Sequence, residues 1–169
     1  MRHRDIGLVV AGGVFVLDQG MKLLLLYTFG LIEFTHGEAI QVLPFFNLTM
    51  VWNCGISLGL FSDCGPERTV VLATFQMIAA GVLGWWLWSV RRRALAVELG
   101  LVIGGALGNL IDRLVYGRVA DFFHLYAFGY SFYVFNVADA AITFGVVGLL
   151  YDALLKPEEP QGQGEAGKE

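Results

Sequence analysis

Thr69 to Val90 reads TVVLATFQMIAAGVLGWWLWSV and carries no charged side chain. A helix rises 1.5 Å per residue, so about 20 apolar residues cross the hydrocarbon core of a bilayer, and this stretch is long enough to do so. It ends in Trp85, Trp86 and Trp88, followed by Arg91, Arg92 and Arg93. Amphipathic rings at headgroup depth with bases just beyond them form an interface anchor and a basic stop. The chain is therefore read as a membrane protein.

Ala94 to about Ile111 follows the arginines at once, so spans two and three form a tight hairpin. Span one runs from Ile6 to about Leu31, and span four from Phe135 to Leu155. The composition fits this reading: 56% of the 169 residues are hydrophobic, and only 15% are charged where a soluble domain has about 25%. Mean hydropathy is +0.63. Thirteen Phe and two Cys exclude a disordered chain and a disulfide scaffold, and the glycines have no period of three. The predicted fold is an all-α membrane protein: four transmembrane helices with a small β-containing extracytoplasmic loop region, forming one domain over residues 1–155.

The bases give an orientation. Arg2, Arg4, Arg91 to Arg93 and Lys156 fall on one side, and Arg68, Arg113 and Arg118 on the other. By the positive-inside rule both termini are cytoplasmic and the two longer loops are outside. The apolar run after Arg2 and Arg4 is too long for a cleaved signal peptide and has no small-residue cleavage site, so it is read as a permanent span. The first outer loop, 32–68, contains Phe45 to Trp52, rich in aromatic and β-forming residues between Pro44 and Gly55, which predicts a short strand or hairpin. Residues 156–169, rich in Pro and Gly and without aromatics, are predicted to be a disordered cytoplasmic tail.

Net charge is −4, with no basic excess for a nucleic-acid partner. Cys54 and Cys64 form no CxxC and have no histidine cluster nearby, which argues against a metal site; they could pair if they face an oxidising compartment, but two thiols near a membrane more often remain free, and they are read so. No cofactor or metal is expected.

Polar residues inside apolar spans need reasons. Asp18 and Lys22, four residues apart, lie on one face of span one within pairing reach and are read as an internal ion pair. Gly100, Gly104 and Gly108 make a smooth ridge on span three, suited to close helix packing and also to a substrate segment beside it. Asn109 and Arg113 share a face near the outer end of that span, and Asp112 is read as an interface residue. Asp121 follows span three among apolar neighbours, and Asp139 sits about one turn into span four with Asn136 three residues before it. Two carboxylates brought together in apolar surroundings can share a proton and activate water. From the residues alone, this pairing stands beside separate capping or packing roles. His124 is a rival general base, and Cys54 a conceivable nucleophile without a base near it in sequence.

Five motifs in order are Leu17-Asp18-Gln19 with Lys22, Trp52-Asn53-Cys54-Gly55, the run Gly104 to Arg113 (GGALGNLIDR), Val119-Ala120-Asp121-Phe122, and Phe135-Asn136-Val137-Ala138-Asp139-Ala140. In these the chain resembles the bacterial prolipoprotein signal peptidase family, signal peptidase II, over nearly its whole length before the tail. The resemblance implies an intramembrane aspartyl endopeptidase of the bacterial cytoplasmic (inner) membrane. Such an enzyme removes signal peptides from diacylglyceryl-modified prolipoproteins by cutting just before the lipidated cysteine. It implies that Asp121 and Asp139 are catalytic, and that Asp18, Lys22, Asn53, Gly105, Asn109, Arg113 and Asn136 support them or the substrate. It also implies a small substrate-cradling sheet in the first outer loop and prolipoprotein and lipid partners; a monomer is expected, though the sequence does not fix the oligomeric state. The sequence departs from many members at Ile56, Ser57 and Leu58. The topology places both aspartates near the outer leaflet, where a signal peptide's cleavage site emerges. A transporter with a proton relay through Asp18, Lys22, Asp112, Asp121 and Asp139 is the rival reading, and a non-catalytic adaptor is the third. Against the relay, the acids crowd toward the outer end and no inverted repeat is visible.

Overall fold

The computed structural model describes residues 2–35, 38–55, 65–128 and 130–155. Among these, four helices are long and apolar enough to cross a membrane. They are α1 (His3–Leu23, continued by a π-helical turn over Leu24–Thr28), α2 (Pro66–Leu87), α3 (Arg93–Tyr116) and α4 (Val137–Leu155). The expected tail, 156–169, lies outside the described residues, as do Ile56, Ser57, Leu58 and Cys64.

Helix α3 is the axis of the bundle and packs against α1, α2 and α4. Of its most apolar stretch 56% is buried, against 22%, 17% and 17% for the other three, so those helices turn most of their apolar surface outward. Such an all-apolar exterior suits lipid and not water. The glycines of α3 make the close packing possible. A Cβ on Gly104 would lie 2.5 Å from the Ala11 carbonyl oxygen of α1, and one on Gly105 would lie 2.5 Å from the Ala138 oxygen of α4. Two helix backbones thus approach α3 at adjacent residues on neighbouring faces, which only residues without a side chain permit.

At one end of the bundle sits a four-stranded antiparallel sheet in the order β1 (Ala39–Leu43), β2 (Phe46–Asn53), β3 (Val119–Ala127) and β4 (Tyr130–Phe135). Strand β2 occupies the segment expected to be extended. Strands β3 and β4 come from the loop between α3 and α4, where no strand was expected. Val119 to Phe122 are all buried, so this stretch lacks the alternation of polar and apolar residues that marks a half-exposed strand. A core of Leu25, Leu26, Leu31, Met50, Ala120 and Phe122 joins the end of α1 to the sheet.

The third helix also runs further than the apolar run suggested. Asn109, Asp112 and Arg113 lie within α3 and are buried, so Arg113 is not a loop base. The helix stops at Gly117, whose φ of 72° is the left-handed conformation glycine adopts without strain, and whose N–H caps the Arg113 carbonyl at 3.0 Å. Strand β3 begins two residues later, which brings Asp121 back over the end of α3.

Candidate active site

Asp121 lies on β3 opposite Val51 of β2 and is 1% exposed. Its Oδ1 accepts a hydrogen bond from Asn136 Nδ2 at 2.6 Å, and its Oδ2 accepts one from Asn53 Nδ2 at 2.9 Å. Burial, and after it the charge of Asp139, pushes the Asp121 carboxyl from its ordinary 3.8 up to about 8, against the opposing pull of the two amides and Lys22.

Asp139 is placed by the start of α4. Asn136 Oδ1 accepts the Asp139 N–H at 2.9 Å, and Asp139 Oδ2 accepts the Asn136 N–H at 3.4 Å. This reciprocal capping box satisfies two donors that a helix start leaves open. The other carboxylate oxygen, Oδ1, accepts from Asn109 Nδ2 at 2.8 Å. Asn136 therefore caps the helix through its carbonyl oxygen and holds Asp121 through its amide nitrogen. The capping role that the sequence left open thus belongs to Asn136 and Asp139, and Asn136 also ties the start of α4 to Asp121.

Behind the aspartates lies a buried charged cluster. Lys22 Nζ contacts Asp18 Oδ2 at 2.7 Å, Asp112 Oδ2 at 2.8 Å and Asn109 Oδ1 at 3.2 Å. The expected Asp18–Lys22 pair is thus one half of a three-charge cluster. Asp18 Oδ1 accepts the Ala138 N–H at 2.9 Å, which fixes the first turn of α4. Asp112 Oδ2 accepts the Ala120 N–H at 3.1 Å, which fixes the residue next to Asp121. Gln19 Nε2 reaches Asp112 Oδ1 at 3.1 Å and the Gly108 oxygen at 3.1 Å. Arg113 donates to the Gly55 oxygen at 2.8 Å and to Gln76 Oε1 at 3.2 Å, joining the end of the β2 segment to α2.

A cavity of about 320 Å³ opens beside Asp139, between α2, α3 and α4, with Asn53, Gln76, Ala106, Asn109 and Arg113 among its lining residues. Its walls are mostly apolar, with the polar groups gathered at the sheet end. Among the described residues no group of three His, Cys, Asp or Glu side chains is arranged to hold a metal ion. A paired, buried carboxyl and a second carboxyl open to an apolar groove is an arrangement suited to water-mediated peptide hydrolysis.

A sequence model of the family described as Signal peptidase (SPase) II matches residues 10–155. The chain belongs to the signal peptidase II family. The lipoprotein signal peptidase of Rhodopseudomonas palustris (strain ATCC BAA-98 / CGA009) is 48% identical over 152 residues, covering 87% of this chain and 91% of that protein. That of Nitrobacter hamburgensis is 44% identical over 154 residues, covering 89% and 92%. A solved bacterial membrane enzyme, determined by the in meso method at 2.3 Å resolution, superposes with a TM-score of 0.73 at 30% identity, over 90% of this chain and 92% of that one.

In this signal peptidase II chain, Asp18, Lys22, Asn53, Asn109, Arg113, Asp121, Asn136 and Asp139 converge at the sheet end of the bundle. Gly105 lies in the same region as a packing position beneath α4. The glycine ridge is not free for a substrate: Gly100 and Gly104 are covered by α1, and Gly108 by the Asp18 carboxylate. Asp112 is not an interface residue either, since it is 1% exposed and paired with Lys22. His124 is drawn off to the exposed side of the sheet, with Nε2 at 2.7 Å from Ser131 Oγ. Cys54, expected to be a free thiol, is disulfide-bonded, a pairing that spacing in sequence cannot reveal.

Gln19 and Gln76 were not among the expected site residues. Gln19 could have been found: it precedes Lys22 by three residues, so it shares a face with a buried charge. Nothing local marks Gln76, because its partner Arg113 comes from another element.

Proposed function

We propose that this chain is an intramembrane aspartyl endopeptidase that removes signal peptides from diacylglyceryl-modified prolipoproteins, cutting just before the lipidated cysteine. Asp121 and Asp139 form the catalytic pair. The observation that carries this is Asn136, whose side-chain amide donates to Asp121 Oδ1 and whose backbone N–H donates to Asp139 Oδ2, next to an apolar cavity that Asp139 lines. Family membership supplies the substrate class, and the two carboxyls supply the chemistry.

Asp139 is the base and Asp121 the acid. With its carboxyl raised to about 8, Asp121 holds a proton at neutral pH. Water attacks the scissile carbonyl carbon and gives a proton to Asp139, while Asp121 protonates the carbonyl oxygen. The resulting gem-diol collapses as Asp139 passes its proton to the leaving nitrogen, and Asp121 recovers a proton from the diol. The products are the signal peptide with a new carboxyl end and the protein with its lipidated cysteine amine free. Asn109 and Asn136 keep the carboxyls in register throughout, and Lys22 offsets the negative charge behind them.

The enzyme works as a monomer in the bacterial inner membrane with both termini cytoplasmic and the aspartates near the outer leaflet. The lipid chains of the substrate hold the scissile bond at that depth. Incubating the purified protein with a lipidated precursor tests the reading: release of the signal peptide supports it, and an intact precursor overturns it. A proton pathway predicts no cleavage, but proton flux in sealed vesicles.

A further inference from the structure

Asn53 is held at three points. Its Oδ1 accepts the Gly55 N–H at 3.0 Å, and its Nδ2 donates both to Asp121 Oδ2 at 2.9 Å and to Tyr133 Oη at 2.9 Å. A carboxamide has two N–H donors, and here both are used. Asn53 ends β2 and Tyr133 lies on β4, the two strands that flank β3 and its Asp121. The two N–H bonds diverge within one rigid plane. A partner on the first therefore sets the direction of the second.

We infer that Tyr133 is a positioning residue for the aspartate pair: its hydroxyl holds the Asn53 carboxamide in the orientation that donates to Asp121. The inference rests on the aspartyl reading given above and adds to it a residue outside the five motifs. Tyr133 acts through Asn53 and not on substrate, because the side chains lining the cavity beside Asp139 include Asn53 but not Tyr133.

The consequence is electrostatic. An N–H donated to a carboxylate favours its ionised form, so the Asn53 contact opposes the rise in Asp121's affinity for its proton. The other groups that act on Asp121 are Asp139 of α4, Asn136 and Lys22 of α1, and Arg113 of α3 faces both aspartates and Tyr133. Removing one phenolic hydroxyl leaves all of these in place. It lets the Asn53 amide turn, weakens its bond to Asp121, and makes Asp121 keep its proton to higher pH.

The test uses the full chain with Tyr133→Phe, Asn53→Ala and the double variant, assayed on a diacylglyceryl-modified precursor across pH. Tyr133→Phe should lower kcat about 3- to 10-fold with KM unchanged, the scale of one hydrogen bond. Its alkaline limb should move up by about half a pH unit. In the Asn53→Ala background the same change should have no further effect. Tyr126→Phe is the control, since the Tyr126 hydroxyl bonds Gln41 and the Leu43 oxygen in an exposed part of the sheet; it should match the parent. Parental kcat and limb for Tyr133→Phe, or a full additional loss in the Asn53→Ala background, would overturn the inference. Asp121→Asn and Asp139→Asn run alongside. If those two remain active, the aspartyl reading itself has failed; if they are inactive while Tyr133→Phe is parental, only the role of Tyr133 has.

Discussion

Replacing Lys22 with Met removes one positive charge from between two buried carboxylates. Lys22, Asp18 and Asp112 have side chains 3%, 0% and 1% exposed, so water cannot take over the lost pairing. Removing one partner of a buried ion pair costs about 3–5 kcal/mol, and here two anions lose the same partner, which places the cost at the upper end of that range. For a chain of this size each kcal/mol moves the unfolding midpoint by about 2–4 °C, so Lys22→Met should unfold on the order of 10–20 °C lower. Compensating variants should recover in order. Asp18→Asn with Lys22→Met leaves Asp112 as the one aspartate that has lost its lysine, and it keeps the donors Gln19 Nε2 and the Ala120 N–H. Adding Asp112→Asn removes the last uncompensated charge. Midpoints followed by tryptophan fluorescence in one detergent should therefore rank single below double below triple variant. A Lys22→Met midpoint within about 2 °C of the parent, or a triple variant as unstable as the single one, would refute the reasoning.

Three further outcomes follow from the same geometry. Gly104→Ala, whose Cβ would meet the Ala11 oxygen at 2.5 Å, should lower the midpoint by the equivalent of about 1–3 kcal/mol, whereas Gly81→Ala, with nothing within 4 Å, should not lower it. Equal midpoints would show that α1 and α3 are not in close contact. Cleavage should fall as pH rises through about 8, because Asp121 then loses the proton that the reaction needs. The stability linked to this group has the same sign: its folded value is raised from 3.8, so its contribution is full below about pH 4 and lost as pH rises toward 8. A pH–rate profile still rising above pH 9 would contradict it. Matched precursors with and without the diacylglyceryl group, at equal membrane loading, should differ strongly in rate, since misplacement by about 1 Å can cost on the order of a hundredfold. Equal rates would indicate a general signal peptidase.

The spans were legible because long apolar runs flanked by bases admit few other readings, as at Thr69 to Arg93. The motif residues were legible as chemistry only through resemblance, because Asp121 and Asp139 are 18 positions apart on different elements. What failed was inference from polarity to exposure. Asp112 and Arg113 looked like the outer end of a span, yet each is buried by a partner distant in sequence, Lys22 for Asp112 and the Gly55 carbonyl for Arg113. The β3–β4 hairpin was hidden for a related reason: a strand buried on both faces and carrying an aspartate shows neither alternation nor an uninterrupted apolar run. The glycine ridge gave the converse case, its smoothness legible but not its occupant, α1.

Cleavage of a diacylglyceryl-modified precursor by purified Asp121→Asn and Asp139→Asn proteins decides whether the two carboxyls together hydrolyse the peptide bond. Asn keeps the shape and one acceptor oxygen, so both variants should fold and enter the membrane at parental levels. Neither can exchange the proton that water attack requires. Signal-peptide release should be abolished in each, and near-parental turnover in either folded variant would contradict the account.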